Sequence, residues 1–141
     1  MRDDKFEELK NLERIVQRID RDAEAVVVEG FSDRKALRNL GFTGRIFESA
    51  ERNLELLAED IGRSTETVAI LTDFDSHGKE QNNRLRHLLQ EDADVLVSAR
   101  EQFGSQLTSE GRMAVEDVRP LFEDKEQKFV DAALDQLYLD L

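Results

Sequence analysis

The stretch "AVVVEG", residues 25–30, places four apolar residues before a glutamate and a glycine. Three of the four are β-branched, and none alternates with a polar residue, so the run reads as a strand buried on both faces. Similar short runs follow: "RIF" at 45–47, "VAILT" at 68–72, "DVLV" at 94–97 and "MAV" at 113–115. Between them the spacing predicts helices over residues 32–40, 50–61 and about 78–90, with Ser49 as a ready cap for the second. Apolar strands that alternate with helices imply an α/β fold, with a mainly parallel sheet of four to five strands covered on both faces.

Upstream of this strand, Phe6, Leu9, Leu12, Val16 and Ile19 recur at helical spacing, so residues 1–23 should supply an amphipathic N-terminal helix. The polar stretch 98–112, with two glycines and no clear period, reads as a mobile loop or a short irregular helix. Pro120 marks a turn. Beyond it Val130, Leu134, Leu137 and Leu141 form a stripe suited to a last helix that docks on the core or serves self-association. At 141 residues the chain suits a single domain: the N-terminal helix, a core over 24–99, and 100–141 holding the loop, a closing strand and a C-terminal helix.

Apolar runs of four or five residues fall far short of the ~18 needed for a membrane span. The charged N-terminus lacks the apolar centre of a secretion signal, so a cytoplasmic protein without membrane contact is expected. The absence of cysteine excludes disulfides, thiolate metal sites and cysteine nucleophiles. Net charge is −12, and arginine outnumbers lysine fourteen to six. That balance suits a halophilic adaptation, in which dense carboxylates keep a surface hydrated in a high-salt cytoplasm. An ordinary acidic protein has the same composition.

Glu29 and Asp73 each follow a candidate strand, and Asp75 comes two residues after Asp73. Ligands of open parallel sheets bind beyond the carboxyl ends of the strands. If the two strands are neighbours, three carboxylates meet at that rim, and their repulsion calls for a cation. Oxygen ligands select Mg2+, with Mn2+ as an alternative. Gly30 and Gly78 would let backbone approach a phosphate, either glycine also being explained by a turn with positive φ.

Glu29-Gly30 after one strand, and Asp73-Phe74-Asp75-Ser76-His77-Gly78 after another, resemble the two motifs of the Toprim domain found in topoisomerases, primases and several nucleases. The resemblance covers about residues 24–99, and "VEDV" at 115–118 is weakly similar to the segment that closes small stand-alone members. Phe74, where topoisomerases often carry proline, also resembles the small archaeal members. The resemblance implies a compact Rossmann-like fold in which Glu29 is the general acid or base while Asp73 and Asp75, with Glu29, hold Mg2+. It also implies nucleic acid as the partner, met by Gly30, Gly78, Lys79, Arg34 and His77. A protein partner or a homodimer through the terminal helices is a further expectation.

Two readings follow: a Mg2+-dependent nuclease or RNA-processing enzyme, and a non-catalytic module that binds nucleic acid or nucleotide or joins a larger complex. A phosphatase of the haloacid dehalogenase type is weaker, because its Asp-x-Asp ends the first strand and two strands precede it here. Tyr138, the sole tyrosine, lies in the tail and reads as structural, and no polymerase module is present, which excludes strand passage and primer synthesis by this chain alone. The acidic balance does not forbid a polyanion, since residues 30–47 carry a local +3 and 76–90 a local +2. Arg100 and Glu116 are weaker candidates for the same site.

Overall fold

The computed structural model describes residues 4–123. The first helix, α1 (Asp4–Asp22), is followed by β1 (Ala25–Val28), α2 (Phe31–Asn39), β2 (Arg45–Glu48), α3 (Leu54–Ser64) and β3 (Thr67–Ile70). Next come α4 (Ser76–Leu89), the two-residue β4 (Asp94–Val95), α5 (Val97–Ser109) and a short 3-10 helix at Val115–Val118. The four strands pair in parallel in the order β2-β1-β3-β4. The protein is therefore α/β, with a Rossmann-like parallel sheet between helices.

Alternation along the strands divides the core. Val26 and Val28 of β1 and Ala69 of β3, with Leu71 beyond it, pack with α1, α2 and α5 on one face, and Ala25, Val27, Val68 and Ile70 pack with α3 and α4 on the other. Both faces are covered, which explains strands that are apolar throughout. α1 buries Leu9, Leu12, Val16 and Ile19, while Phe6 is 45% exposed, with the Lys10 ammonium 4.8 Å from its ring centroid. The apolar face of α1 is thus used within the fold.

Several expectations are corrected. The stretch 98–112 is not a loop, because α5 runs from Val97 to Ser109. Its Gly104 is a packing glycine, since a Cβ there would stand 2.6 Å from the Phe74 ring. Gly111, at φ +76°, lies just past the end of the helix in the left-handed region that favours glycine. Residues 113–115 form no ladder strand. Instead Met113 O accepts from Phe74 N–H at 2.6 Å, while Asp117 Oδ2 takes the amides of Met113 and Ala114 and turns the chain into the 3-10 helix.

α3 begins at Leu54 and is capped by Asn53, whose Oδ1 accepts from Glu55 and Leu56 amides at 2.9 and 3.1 Å. Ser49 is therefore not that cap. It is buried, and its hydroxyl donates to Gln81 Oε1. Pro120 falls in a helical segment, 119–123, where a missing N–H costs nothing if it stands in the first turn. The tail stripe from Val130 to Leu141, with Tyr138, lies outside the described residues. No helix of the described residues is long and apolar enough to cross a membrane.

Candidate functional site

The chain leaves β1 toward β2 on one side and reaches β3 on the other, so the strand order reverses between β1 and β3. Such a reversal opens a crevice at the carboxyl ends of two adjacent strands. Glu29 and Asp73 stand at its two lips. The Asp73 amide donates to Glu29 Oε1 at 3.2 Å, joining the two acidic segments directly.

Asp73 is the strained member of the pair. Its pKa is pushed up to about 7, first by burial, then by the charges of Glu29 and Asp33, by a hydrogen bond to Glu29, and by Asp75. That hydrogen bond needs a protonated carboxyl as donor. Asp73 Oδ1 is buried with no hydrogen-bond partner among the described residues. A buried acceptor without a donor, beside like charges, is costly unless a cation or a proton arrives.

Asp75 answers a different demand. It is the N-cap of α4, and its Oδ1 accepts from Gly78 N–H at 2.8 Å. One oxygen of this expected ligand is thus spent on the helix, and among the described residues no three Asp, Glu, His or Cys side chains form a ready metal set. Mg2+ retains several waters and uses one or two carboxylates, and the orphaned Asp73 Oδ1 beside Glu29 fits a partly hydrated ion of that kind.

Both motif glycines depart from the turn explanation. Gly30 has φ −142° and Gly78 is helical, so neither occupies the left-handed region. A Cβ on Gly78 would lie 1.8 Å from Asp73 O, so glycine is required by backbone contact, whereas a Cβ on Gly30 meets nothing nearer than 4.0 Å. Gly30 N–H donates to Asp33 Oδ2 and Gly78 N–H to Asp75, so neither amide is free for a phosphate in this arrangement.

The expected phosphate contacts separate likewise. Arg34 is committed, with Nε on Glu48 Oε2 and Nη2 on Ile46 O at 2.9 Å, so it braces the end of β2. His77 is exposed in the first turn of α4, with Nε2 3.1 Å from the Gln81 amide nitrogen. Lys79 is exposed on the same helix, at a groove shared with Arg86 and Arg100.

Two residues carry more than their sequence context suggested. Buried Asp33 links the Gly30 amide to that of Glu116, tying the 3-10 helix to the start of α2, and burial raises its pKa. Arg100 braces the exit of β3. Its Nη1 donates to Ile70 O at 3.0 Å, to Thr72 O at 2.9 Å and to Thr72 Oγ1 at 3.2 Å, and Nη2 donates to Asp73 O at 3.1 Å. The guanidinium lies 4.3 Å from the Phe74 ring centroid. Burial lowers its pKa to about 10 against the raising effect of Glu29 and Asp73, so it stays charged at neutral pH. Arginine's forked donors suit these convergent carbonyls. Arg100→Ala is expected to cost about 2–4 kcal/mol, and Arg100→Lys to recover less than half of it, read from urea denaturation midpoints.

No protein-family model matches the sequence. The chain is similar to UPF0292 proteins. One from Thermococcus kodakarensis is 39% identical over 83 residues, covering 57% of this chain and 62% of the relative. Another, from Pyrococcus furiosus, is 29% identical over 123 residues, covering 87% of this chain and 92% of the relative. In the first alignment the chain spans less than two thirds of its relative. Among solved structures, a protein from Aquifex aeolicus has TM-score 0.61 and 23% identity, covering 77% of this chain and 96% of that chain, a likeness of fold.

Proposed function

We propose that the protein is a small stand-alone Toprim-type protein performing Mg2+-dependent phosphodiester chemistry on nucleic acid, of the nuclease or RNA-processing kind. The observation that carries this reading is the Glu29–Asp73 pair at the β1/β3 reversal, with Asp73 Oδ1 buried and unpartnered among the described residues. Glu29 and Asp73 would hold Mg2+, or Mn2+, with Asp75 beside them. The ion, when bound, would offset charge developing on phosphoryl oxygens.

The chain's own groups supply the rest. Glu29, which accepts from the Asp73 amide, would take or give a proton at the phosphodiester oxygen as general base or acid. Arg100 fixes the carbonyls of residues 70, 72 and 73, so the carboxylate of Asp73 keeps its place while charge changes beside it. The use of Asp75 as a helix cap favours a second reading, a nucleic-acid-binding module that docks through a cation without cleaving.

Incubation with labelled structured RNA and with plasmid, with and without Mg2+ or Mn2+, separates the two. Metal-dependent cleavage supports the enzyme, and metal and nucleic-acid binding without cleavage supports the module. Absence of both metal binding and cleavage overturns the proposal.

A further inference from the structure

A groove of about 370 Å3 runs between α4 and α5, beyond the short edge strand β4. Its charged lining is Lys79 and Arg86 from α4 and Arg100 and Glu101 from α5, a net positive trough on a chain of net charge −12. Lys79 and Arg86 are exposed, and neither has an acidic partner among the described residues, whereas Arg84 on the same helix pairs with Glu55 at 2.8 Å. A cationic stripe left unpaired on so acidic a molecule is suited to an anion from outside.

The geometry narrows that anion. Lys79 and Arg86 are seven residues apart on one helix, about 10 Å along its axis and on the same face, so two cations stand in line along the groove, as an extended polyanion requires. A groove of this volume is the size of a small-molecule site and is too small for a duplex. Among the described residues Phe74 is the one aromatic of the lining, and it is buried beneath Arg100, so these residues offer no exposed ring to a base. Such a lining suits backbone phosphates better than base edges. Arg100, which lines the groove, also donates to Asp73 O, so the groove and the acid pair are linked through the backbone of residue 73.

We propose that the α4/α5 groove binds the phosphodiester backbone of an unpaired nucleic-acid strand, with little base preference, and leads it to the Glu29–Asp73 crevice. The last step rests on the reading of that crevice as the reactive site; binding in the groove does not.

The test measures anisotropy of labelled mixed-sequence single-stranded RNA and DNA, and of a duplex of equal length, in EDTA over a range of salt. Wild type should bind both single strands more tightly than the duplex. The double variant Lys79→Gln/Arg86→Gln should bind several-fold more weakly, with a log K against log salt slope shallower by about 1.4, as loss of two single-strand phosphate contacts requires. Arg84→Gln should match wild type, and Glu29→Gln should bind at least as well while failing to cleave with metal. Wild-type affinity and slope in the double variant, equal or tighter binding of the duplex, or no binding by wild type would each overturn the groove. Groove-dependent binding in a protein that never cleaves would overturn the reactive-site reading alone.

Discussion

Gly78→Ala is expected to destabilise the protein by about 3–5 kcal/mol, among the larger effects for one methyl group. The added Cβ would stand 1.8 Å from Asp73 O and 2.4 Å from Asp73 C, and both are backbone atoms without a rotamer to change. Retreat is blocked on each side. Asp73 O accepts from Arg100, Gly78 N–H is held by Asp75, and Gly78 O accepts from Thr72 Oγ1 at 2.8 Å. Relief of the clash must therefore part the β3 exit from α4 and displace Asp73, so stability and metal affinity should fall together. Gly30→Ala is the control: with its nearest neighbour at 4.0 Å and φ at −142°, its stability should stay within about 0.5 kcal/mol of wild type. Urea denaturation of both variants makes the measurement.

The acid pair gives the second large effect, opposite in direction for stability and activity. Asp73, ordinarily ionising near 3.8, is raised to about 7 in the fold. Between those values the folded protein keeps a proton that the unfolded chain has released, so this group's contribution to stability falls as pH rises through the window. Because Asp73 is partly open to solvent, the full shift overstates the energy, and about 1–2 kcal/mol is expected after screening. Asp73→Asn should equal wild type in stability near pH 4 and exceed it by that amount at pH 8. Glu29→Gln should also relieve Asp73, because it removes the largest neighbouring charge while leaving an oxygen for the Asp73 amide. Both variants should lose metal-dependent cleavage, Glu29→Gln by about 10²–10⁴-fold, as expected for loss of a general acid or base. Parallel stability curves from pH 4 to 8 for wild type and Asp73→Asn would show that the Asp73 carboxylate is not strained.

The central β-strands and the acid pair were legible because the same feature marks both. A parallel strand covered on two faces is apolar at every position, so the first acid after it stands at the rim, and Glu29 and Asp73 are such residues. Their adjacency depended on strand order, which short runs do not encode. α5 was obscured because Gly104 makes room for the Phe74 ring, and only Phe103, Gly104 and Leu107 are buried along its length. The importance of Arg100 was hidden with it, since an arginine in an unassigned stretch does not reveal the carbonyls it serves. Arg34 misled in the opposite sense: its position after Glu29-Gly30 suggested phosphate, but Glu48 sits across the adjoining strand to claim it. Asp75 combined two signals, metal ligand and helix cap, and the local amide of Gly78 takes one of its oxygens.

The proposed chemistry requires Glu29 and Asp73 to share a divalent cation at the β1/β3 crevice. The decisive measurement is calorimetric titration of Mg2+ and Mn2+ into wild type, Glu29→Gln and Asp73→Asn at pH 8. A saturable site is expected in wild type, with affinity at least about 10-fold weaker in each variant. Equal affinity in all three proteins, or no saturable binding by wild type, would contradict it.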